Sequence, residues 1–184
     1  MSPANYQNFV PNFITYTRFF LVPVLLCAYL AGYHSLMAPV FIVAAISDFL
    51  DGFLARRWKV ESALGAFLDP VADKLIVTCA LIILVDLISS SFMVSCVTLI
   101  ILREVAMSSL RQWASSFAGI KDISVSILGK MKTALQLVGI SILLSSPSGY
   151  WLFIGQSLLA LSAILAWVSY LQYHYKALSL SSTV

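Results

Sequence analysis

Six long apolar runs fill this chain and leave little sequence between them. They cover residues 13–33, 36–53, 75–88 with an extension at its N-terminal side, 92–107, 126–144 and 150–170. Most of them approach the roughly 20 residues that a helix needs to cross a hydrocarbon layer of about 30 Å. The 184 residues are 60% hydrophobic and only 10% charged, so a water-soluble domain of this size would lack the polar side chains to cover its surface. We therefore predict an all-α integral membrane protein with six transmembrane helices in one domain, residues 1–184.

The basic residues predict how such a bundle is oriented. All eleven lie in or near the N-terminal end, the second and fourth connections and the C-terminal end, whereas the other three connections carry none. Cytoplasmic connections of membrane proteins carry an excess of Lys and Arg. Both chain ends are thus predicted to face the cytoplasm. The net charge of +3 marks that face and does not indicate a nucleic-acid partner.

Four aspartates interrupt this apolar sequence: Asp48, Asp51, Asp69 and Asp73. A carboxylate at the centre of a membrane helix costs roughly 2.5–3.5 kcal/mol even on a mild scale, and four close together repel one another. Their spacings of three and four residues place each pair on one face of a helix. Asp48 lies about 18 Å along the second helix at 1.5 Å per residue, in the cytoplasmic half of the bilayer. Carboxylate oxygens suit hard divalent cations, so the pattern predicts a metal site between helices two and three.

Two other interpretations of the aspartates stay open. Arg56, Arg57 and Lys74 could neutralise part of the cluster in structural ion pairs. Clustered acids inside a membrane also line the pathways of divalent-cation transporters. A transporter needs polar groups through both halves of the membrane, and the outer half offers His34 and Asp86 near its edge, with serines. The pattern therefore favours a bound metal site over an ion pathway.

The segment from Asp48 to Asp73 reads D-x2-D-G-x2-A-R-x8-G-x3-D-x3-D, and it resembles the signature of the CDP-alcohol phosphotransferases. The resemblance implies that the four aspartates bind two divalent ions, Mg²⁺ or Mn²⁺, and that Asp73 is also the general base. Residues 11–18 resemble the family's N-terminal pattern P-N-x-x-T-x-x-R. The residues implied in binding the cytidine diphosphate are Asn12, Thr15, Asp48, Gly52, Ala55, Arg56 and Gly65.

Later segments are similar to the members of this family that use glycerol 3-phosphate, the bacterial phosphatidylglycerophosphate synthases. They are residues 65–74, 103–104, 109–111 and 129–133. The implied reaction moves a phosphatidyl group from CDP-diacylglycerol to glycerol 3-phosphate and releases CMP. The resemblance also implies a homodimer in the inner membrane of a bacterium, with the active site facing the cytoplasm.

The acceptor in this reaction is a dianion and needs cations at the membrane surface. Arg111, Lys130 and Lys132 are predicted to bind its phosphate, with Arg103 and Lys74 as further candidates. Arginine can hold a phosphate with two parallel hydrogen bonds, whereas lysine supplies a point charge. Alternative acceptors are inositol phosphate, serine and phosphatidylglycerol.

Overall fold

The computed structural model describes the backbone of residues 3–58, 63–116, 127–145 and 148–181, and the side chains of residues 17–47, 68, 71–114, 129, 131–145 and 148–178. Within these ranges the chain is all-helical, with six helices in sequence. They are α1 (Pro3–Leu30), α2 (His34–Trp58), α3 (Ala63–Ile88), α4 (Ser91–Ser116), α5 (Ile127–Leu144) and α6 (Gly149–Ser181). The prediction of an all-α bundle of six helices is confirmed, whereas a membrane crossing by all six stays a prediction.

Each predicted apolar run overlaps one helix, although residues 31–33 of the first run form the turn after α1, and most helices extend beyond the apolar run. The fourth begins at Ser91 and continues to Ser116, and the sixth continues to Ser181. Backbone hydrogen bonding does not stop where the sequence becomes polar, so a helix can project past the apolar layer. Within the described residues, two stretches are long and apolar enough to cross a membrane, Ser91–Ala114 and Gly149–Leu178. Shorter apolar stretches are Thr17–Leu30, His34–Ser47 and Met131–Leu144.

Tight turns join the helices at one end of the bundle. After α1, Gly32 adopts a φ of 76°, and the N–H groups of Gly32 and Tyr33 donate to the carbonyls of Tyr29 and Ala28 at 3.0 and 2.8 Å. This pair of bonds is a Schellman motif, which favours glycine because the left-handed backbone crowds a Cβ atom. The turns reverse the chain, so α1 runs antiparallel to α2.

The core lies where the helices pack, and the outside of the bundle is apolar. Helix α1 packs on α2 and α3, α5 packs extensively on α6, and α4 packs on α6. The fully buried side chains include Leu25, Phe41, Leu84 and Ile140. Large apolar side chains are exposed around the outside: Phe20, Ile82, Leu102, Val105 and Ile164. An apolar exterior of this kind is suited to contact with lipid.

Glycines allow α5 and α6 to approach closely. A Cβ atom added at Gly139 would lie 3.2 Å from the carbonyl oxygen of Gly155. A Cβ atom at Gly155 would lie 2.7 Å from Cγ and Cδ2 of Leu143. Small residues at such crossings let membrane helices pack backbone against backbone. The two helices that carry one wall of the cavity described next are therefore held firmly together.

Candidate active site

A cavity of about 1020 Å³ opens between α3, α4, α5 and α6. It lies at the end of the bundle where α3 and α5 begin and where α4 and α6 end. Its charged lining consists of five basic and two acidic residues. They are Lys74, Arg103, Arg111, Lys132 and Lys176, with Asp73 and Glu104. This excess of positive charge favours an anionic ligand.

Asp73 faces this cavity from α3 and is held from behind by α1. The guanidinium of Arg18 donates through Nη1 to Oδ1 of Asp73, and the two groups form an ion pair. The Arg18 side chain is fully buried, whereas 42% of the Asp73 side chain is exposed. A buried guanidinium is costly unless it is paired, so Arg18 requires an acid at this place. The pair fixes one oxygen of Asp73 while the side chain remains accessible from the cavity.

Glu104 binds two of the cavity's cations at once. Its Oε1 accepts from Nη1 of Arg103 at 3.0 Å and from Nζ of Lys132 at 2.5 Å. Nε of Arg103 also donates to the carbonyl oxygen of Ala166 at 2.9 Å. Arg103 and Lys132 are both buried, and this network satisfies part of their hydrogen-bonding capacity. It links α4, α5 and α6 and orders two cations along the cavity wall.

Arg111 differs from Arg103 and Lys132 in its exposure and its contacts. Its side chain lines the cavity and is exposed, and no residue that the structure describes forms an ion pair or hydrogen bond with it. Lys74 instead donates to the hydroxyl of Ser108 on α4. Within the described part of the chain, Arg111 is thus the cation best placed to take an exogenous anion.

The pattern of residues 8–171 matches a known family model, that of CDP-alcohol phosphatidyltransferase. This chain belongs to the CDP-alcohol phosphatidyltransferase family. It is 37% identical over 173 residues to a protein of Wigglesworthia glossinidia brevipalpis, covering 91% of this chain and 94% of that one. It is 36% identical over 167 residues to a protein of Salmonella choleraesuis, covering 89% and 92%. Both relatives are named CDP-diacylglycerol–glycerol-3-phosphate 3-phosphatidyltransferase.

Several residues were predicted to belong to the site of this CDP-alcohol phosphatidyltransferase family member. Their side chains lie outside the part of the chain that the structure describes. They are Asn12, Thr15, Asp48, Asp51, Gly52, Ala55, Arg56, Gly65, Asp69 and Lys130. Their backbones belong to α1, α2, α3 and α5. The described members of the prediction do come together, since one cavity is lined by Asp73, Arg103, Arg111 and Lys132.

A metal site was also predicted for this family member. Among the side chains that the structure describes, no group of three His, Cys, Asp or Glu could hold a metal ion, and Asp73 is the one aspartate of the four that falls within that part. Asp48 and Asp51 lie one turn apart on α2, and Asp69 and Asp73 lie one turn apart on α3, a helix that packs on α2. Four carboxylates on two neighbouring helices fit a hard divalent cation in their donor chemistry.

The structure also places four residues at the site that had no predicted role there. Arg18 and Glu104 lie in segments that resemble the family but had no assigned role, Lys176 had been assigned to membrane orientation alone, and Gln136 had no assigned role. A structural pairing of Asp73 had been considered with cations such as Lys74, but its partner is Arg18 and Lys74 bonds Ser108. Polar residues inside an apolar helix are costly, and that cost was the available signal for all four.

Proposed function

We propose that this protein transfers the phosphatidyl group of CDP-diacylglycerol to glycerol 3-phosphate, giving phosphatidylglycerophosphate and CMP. Relatives that span nine tenths of the chain carry the name of this activity. The observation that carries the proposal is that Asp73 lines the same cavity as Arg103, Arg111 and Lys132. The cavity thus offers a carboxylate for a proton and cations for a phosphate at one place. The proposed catalytic domain is the chain as a whole, residues 1–184.

Asp73 is proposed as the general base. A hydroxyl oxygen of glycerol 3-phosphate forms a bond to the phosphatidyl phosphorus of the donor, and the bond from that phosphorus to the CMP oxygen breaks. The proton of the attacking hydroxyl passes to the carboxylate of Asp73, and CMP leaves with the bonding electrons. A carboxylate within reach of the hydroxyl makes such an attack easier. Arg18 supports this role because it orients the carboxylate.

Arg111 and Lys132 are proposed to hold the phosphate of the acceptor, together with Lys130 and Arg103. Arg111 is accessible, and Lys132 and Arg103 are ordered by Glu104. Such charge-assisted bonds to a phosphate hold the acceptor in one orientation. The attacking hydroxyl and the phosphatidyl phosphorus would then be held next to each other in the cavity, so the attack would resemble an intramolecular reaction.

Asp48, Asp51, Asp69 and Asp73 are proposed to hold divalent cations, Mg²⁺ or Mn²⁺. When bound, such ions would neutralise the negative charge on the phosphate oxygens and on the leaving group. The cytidine diphosphate is proposed to lie against Asn12, Thr15, Gly52, Ala55, Arg56 and Gly65. The apolar exterior supports six transmembrane helices in the inner membrane of a bacterium. Both termini and the cavity mouth would face the cytoplasm, and the enzyme would act as a homodimer.

The test is the release of CMP by purified protein from CDP-diacylglycerol in the presence of magnesium. Release that depends on glycerol 3-phosphate, with phosphatidylglycerophosphate as the lipid product, is the expected result. Inositol phosphate, serine and phosphatidylglycerol serve as matched alternative acceptors. Faster release with one of these acceptors would keep the phosphotransfer and overturn the assigned acceptor.

A further inference from the structure

Gln136 is a buried polar residue of the cavity that the proposed reaction does not yet use. Its side chain is only 7% exposed and lines the cavity from α5. No residue within the described part of the chain hydrogen-bonds its side-chain amide. It is therefore a buried residue whose amide reaches the cavity.

Buried polar groups in proteins almost always have a hydrogen-bond partner, because losing water without replacement is costly. Other polar residues of these helices follow that rule. The hydroxyl of Ser141 donates to the carbonyl of Leu137 at 2.8 Å, and that of Ser162 donates to the carbonyl of Leu159 at 2.8 Å. The Gln136 amide makes no such bond to its own helix. Its partner must then come from the contents of the cavity.

The position of Gln136 relates it to the proposed phosphate site. It follows Lys132 by four residues, so both side chains project from the same face of α5. Four residues of helix advance about 6 Å at 1.5 Å per residue. Leu137 and Ile140 mark the change to the apolar core just beyond. A short polyol chain with its phosphate at Lys132 would thus have its hydroxyl groups within reach of Gln136.

We infer that Gln136 is a specificity-determining residue that hydrogen-bonds the non-reacting hydroxyl of a polyol phosphate acceptor. This inference rests on the proposed function and deepens it, because it names what the site recognises besides phosphate. An amide offers two N–H donors and a carbonyl acceptor, and a hydroxyl group can use either. Lys132 and Arg111 recognise the charge of the acceptor, and Gln136 recognises its hydroxyl.

A site of this kind discriminates strongly against an acceptor without the hydroxyl. An analogue that lacks the group leaves the amide of this buried residue without its ligand partner, so the site should reject the analogue. The suitable analogue is 3-hydroxypropyl phosphate. It keeps the phosphate and the primary hydroxyl of glycerol 3-phosphate and lacks only the secondary hydroxyl.

The experiment measures kcat/KM for both acceptors in wild type and in Gln136→Met, which keeps the side-chain length and removes the amide. Wild type should prefer glycerol 3-phosphate by about ten- to a hundredfold, the range that follows from leaving a polar group of the site unpaired. The variant should lose most of this preference through slower reaction of glycerol 3-phosphate, with the KM for CDP-diacylglycerol unchanged. Its thermal midpoint in detergent should not fall, because no hydrogen bond within the described chain is lost. Gln112→Met, at an exposed glutamine of α4 outside the cavity lining, is the matched control and should keep the preference.

Three results would overturn the inference. They are an unchanged preference in the variant, an equal loss of rate with both acceptors, and a lower thermal midpoint with the preference retained. If the methionine variant does not fold, Gln136→Ala gives the same comparison of acceptors. Failure of the proposed function is distinguishable, because wild type itself would then form no phosphatidylglycerophosphate from glycerol 3-phosphate.

Discussion

Arg18 and Asp73 form an ion pair between α1 and α3, with the guanidinium in the core and the carboxylate at the cavity. The two residues are 55 positions apart in sequence. Arginine presents its donors in a rigid plane, so the pair orients the carboxylate as well as compensating its charge. Asp73 consequently has a structural role beside its proposed chemical one. The two roles can be separated by experiment.

Replacing Asp73 by asparagine should affect both roles. The amide is a poor base, so CMP release should fall at least about a hundredfold, the lower range for loss of a general base. The free energy of unfolding should also fall by about 1–3 kcal/mol, because Arg18 exchanges a charged acceptor for a neutral one. CMP assays and denaturant unfolding in detergent measure the two effects.

Asp86→Asn is the matched control for that variant. Asp86 accepts a hydrogen bond from Tyr29 near the opposite end of α3 and does not line the cavity. Its replacement should leave the rate of CMP release within about twofold, as expected of a site outside the machinery. An equal loss of rate in both variants would show that the chemistry does not depend on Asp73 in particular.

Removal of divalent ions should stop the reaction. EDTA should abolish CMP release and added Mg²⁺ or Mn²⁺ should restore it, because the transferred phosphorus is surrounded by anionic oxygens. Asp48→Asn and Asp69→Asn should raise the magnesium concentration that gives half-maximal rate, while Asp86→Asn should not. Full activity of purified protein in EDTA would contradict the proposed metal site.

Arg111 gives the sharpest test of phosphate binding. Arg111→Ala should raise the KM for glycerol 3-phosphate by about ten- to a hundredfold, since a hydrogen bond to a charged group contributes about 1.5–3 kcal/mol. The KM for CDP-diacylglycerol should change little. Lys121 is one of the eleven basic residues that predict the orientation and is not among the predicted phosphate-binding residues, so Lys121→Ala should leave both constants unchanged. Similar effects of the two replacements would attribute the change to net charge alone.

The contact between α5 and α6 predicts a pure stability effect. Gly155→Val should lower the free energy of unfolding by about 1–3 kcal/mol, the usual cost of overpacking, because its Cβ would meet Leu143 at 2.7 Å. Ser157→Val lies two residues further on the same helix at an exposed position and should be nearly neutral. Thermal unfolding in detergent compares the two, and equal midpoints would show that the helices adjust at no cost.

The sequence predicted the helices better than their contacts. Apolar runs identify membrane helices because the length of a run is set by the lipid layer. The ends were less predictable, since α6 continues through polar sequence to Ser181. Asp73, Arg103, Arg111 and Lys132 were predicted as site residues from resemblance and from charge. Their placement in one cavity agrees with that prediction, and their roles stay predictions.

The pairings at the site could not be predicted from spacing. Glu104 contacts Lys132 across 28 residues, and Arg18 contacts Asp73 across 55. Such contacts depend on which faces of α1, α3, α4 and α5 meet, and helical periodicity defines a face without its neighbour. Gln136 shows the same limit, because only the packed structure reveals that this residue is buried at the cavity.

On the proposed function, the Glu104 pairing would affect how fast the product is released. Two cations, Arg103 and Lys132, share the carboxylate of Glu104. Their positive charge is therefore already partly neutralised when a phosphate binds. The lipid product would still carry the phosphate that those cations hold, and a wall with unbalanced cations would keep it bound. If these cations hold the phosphate as proposed, Glu104 weakens their attraction for it and would favour departure of the product into the bilayer over its retention.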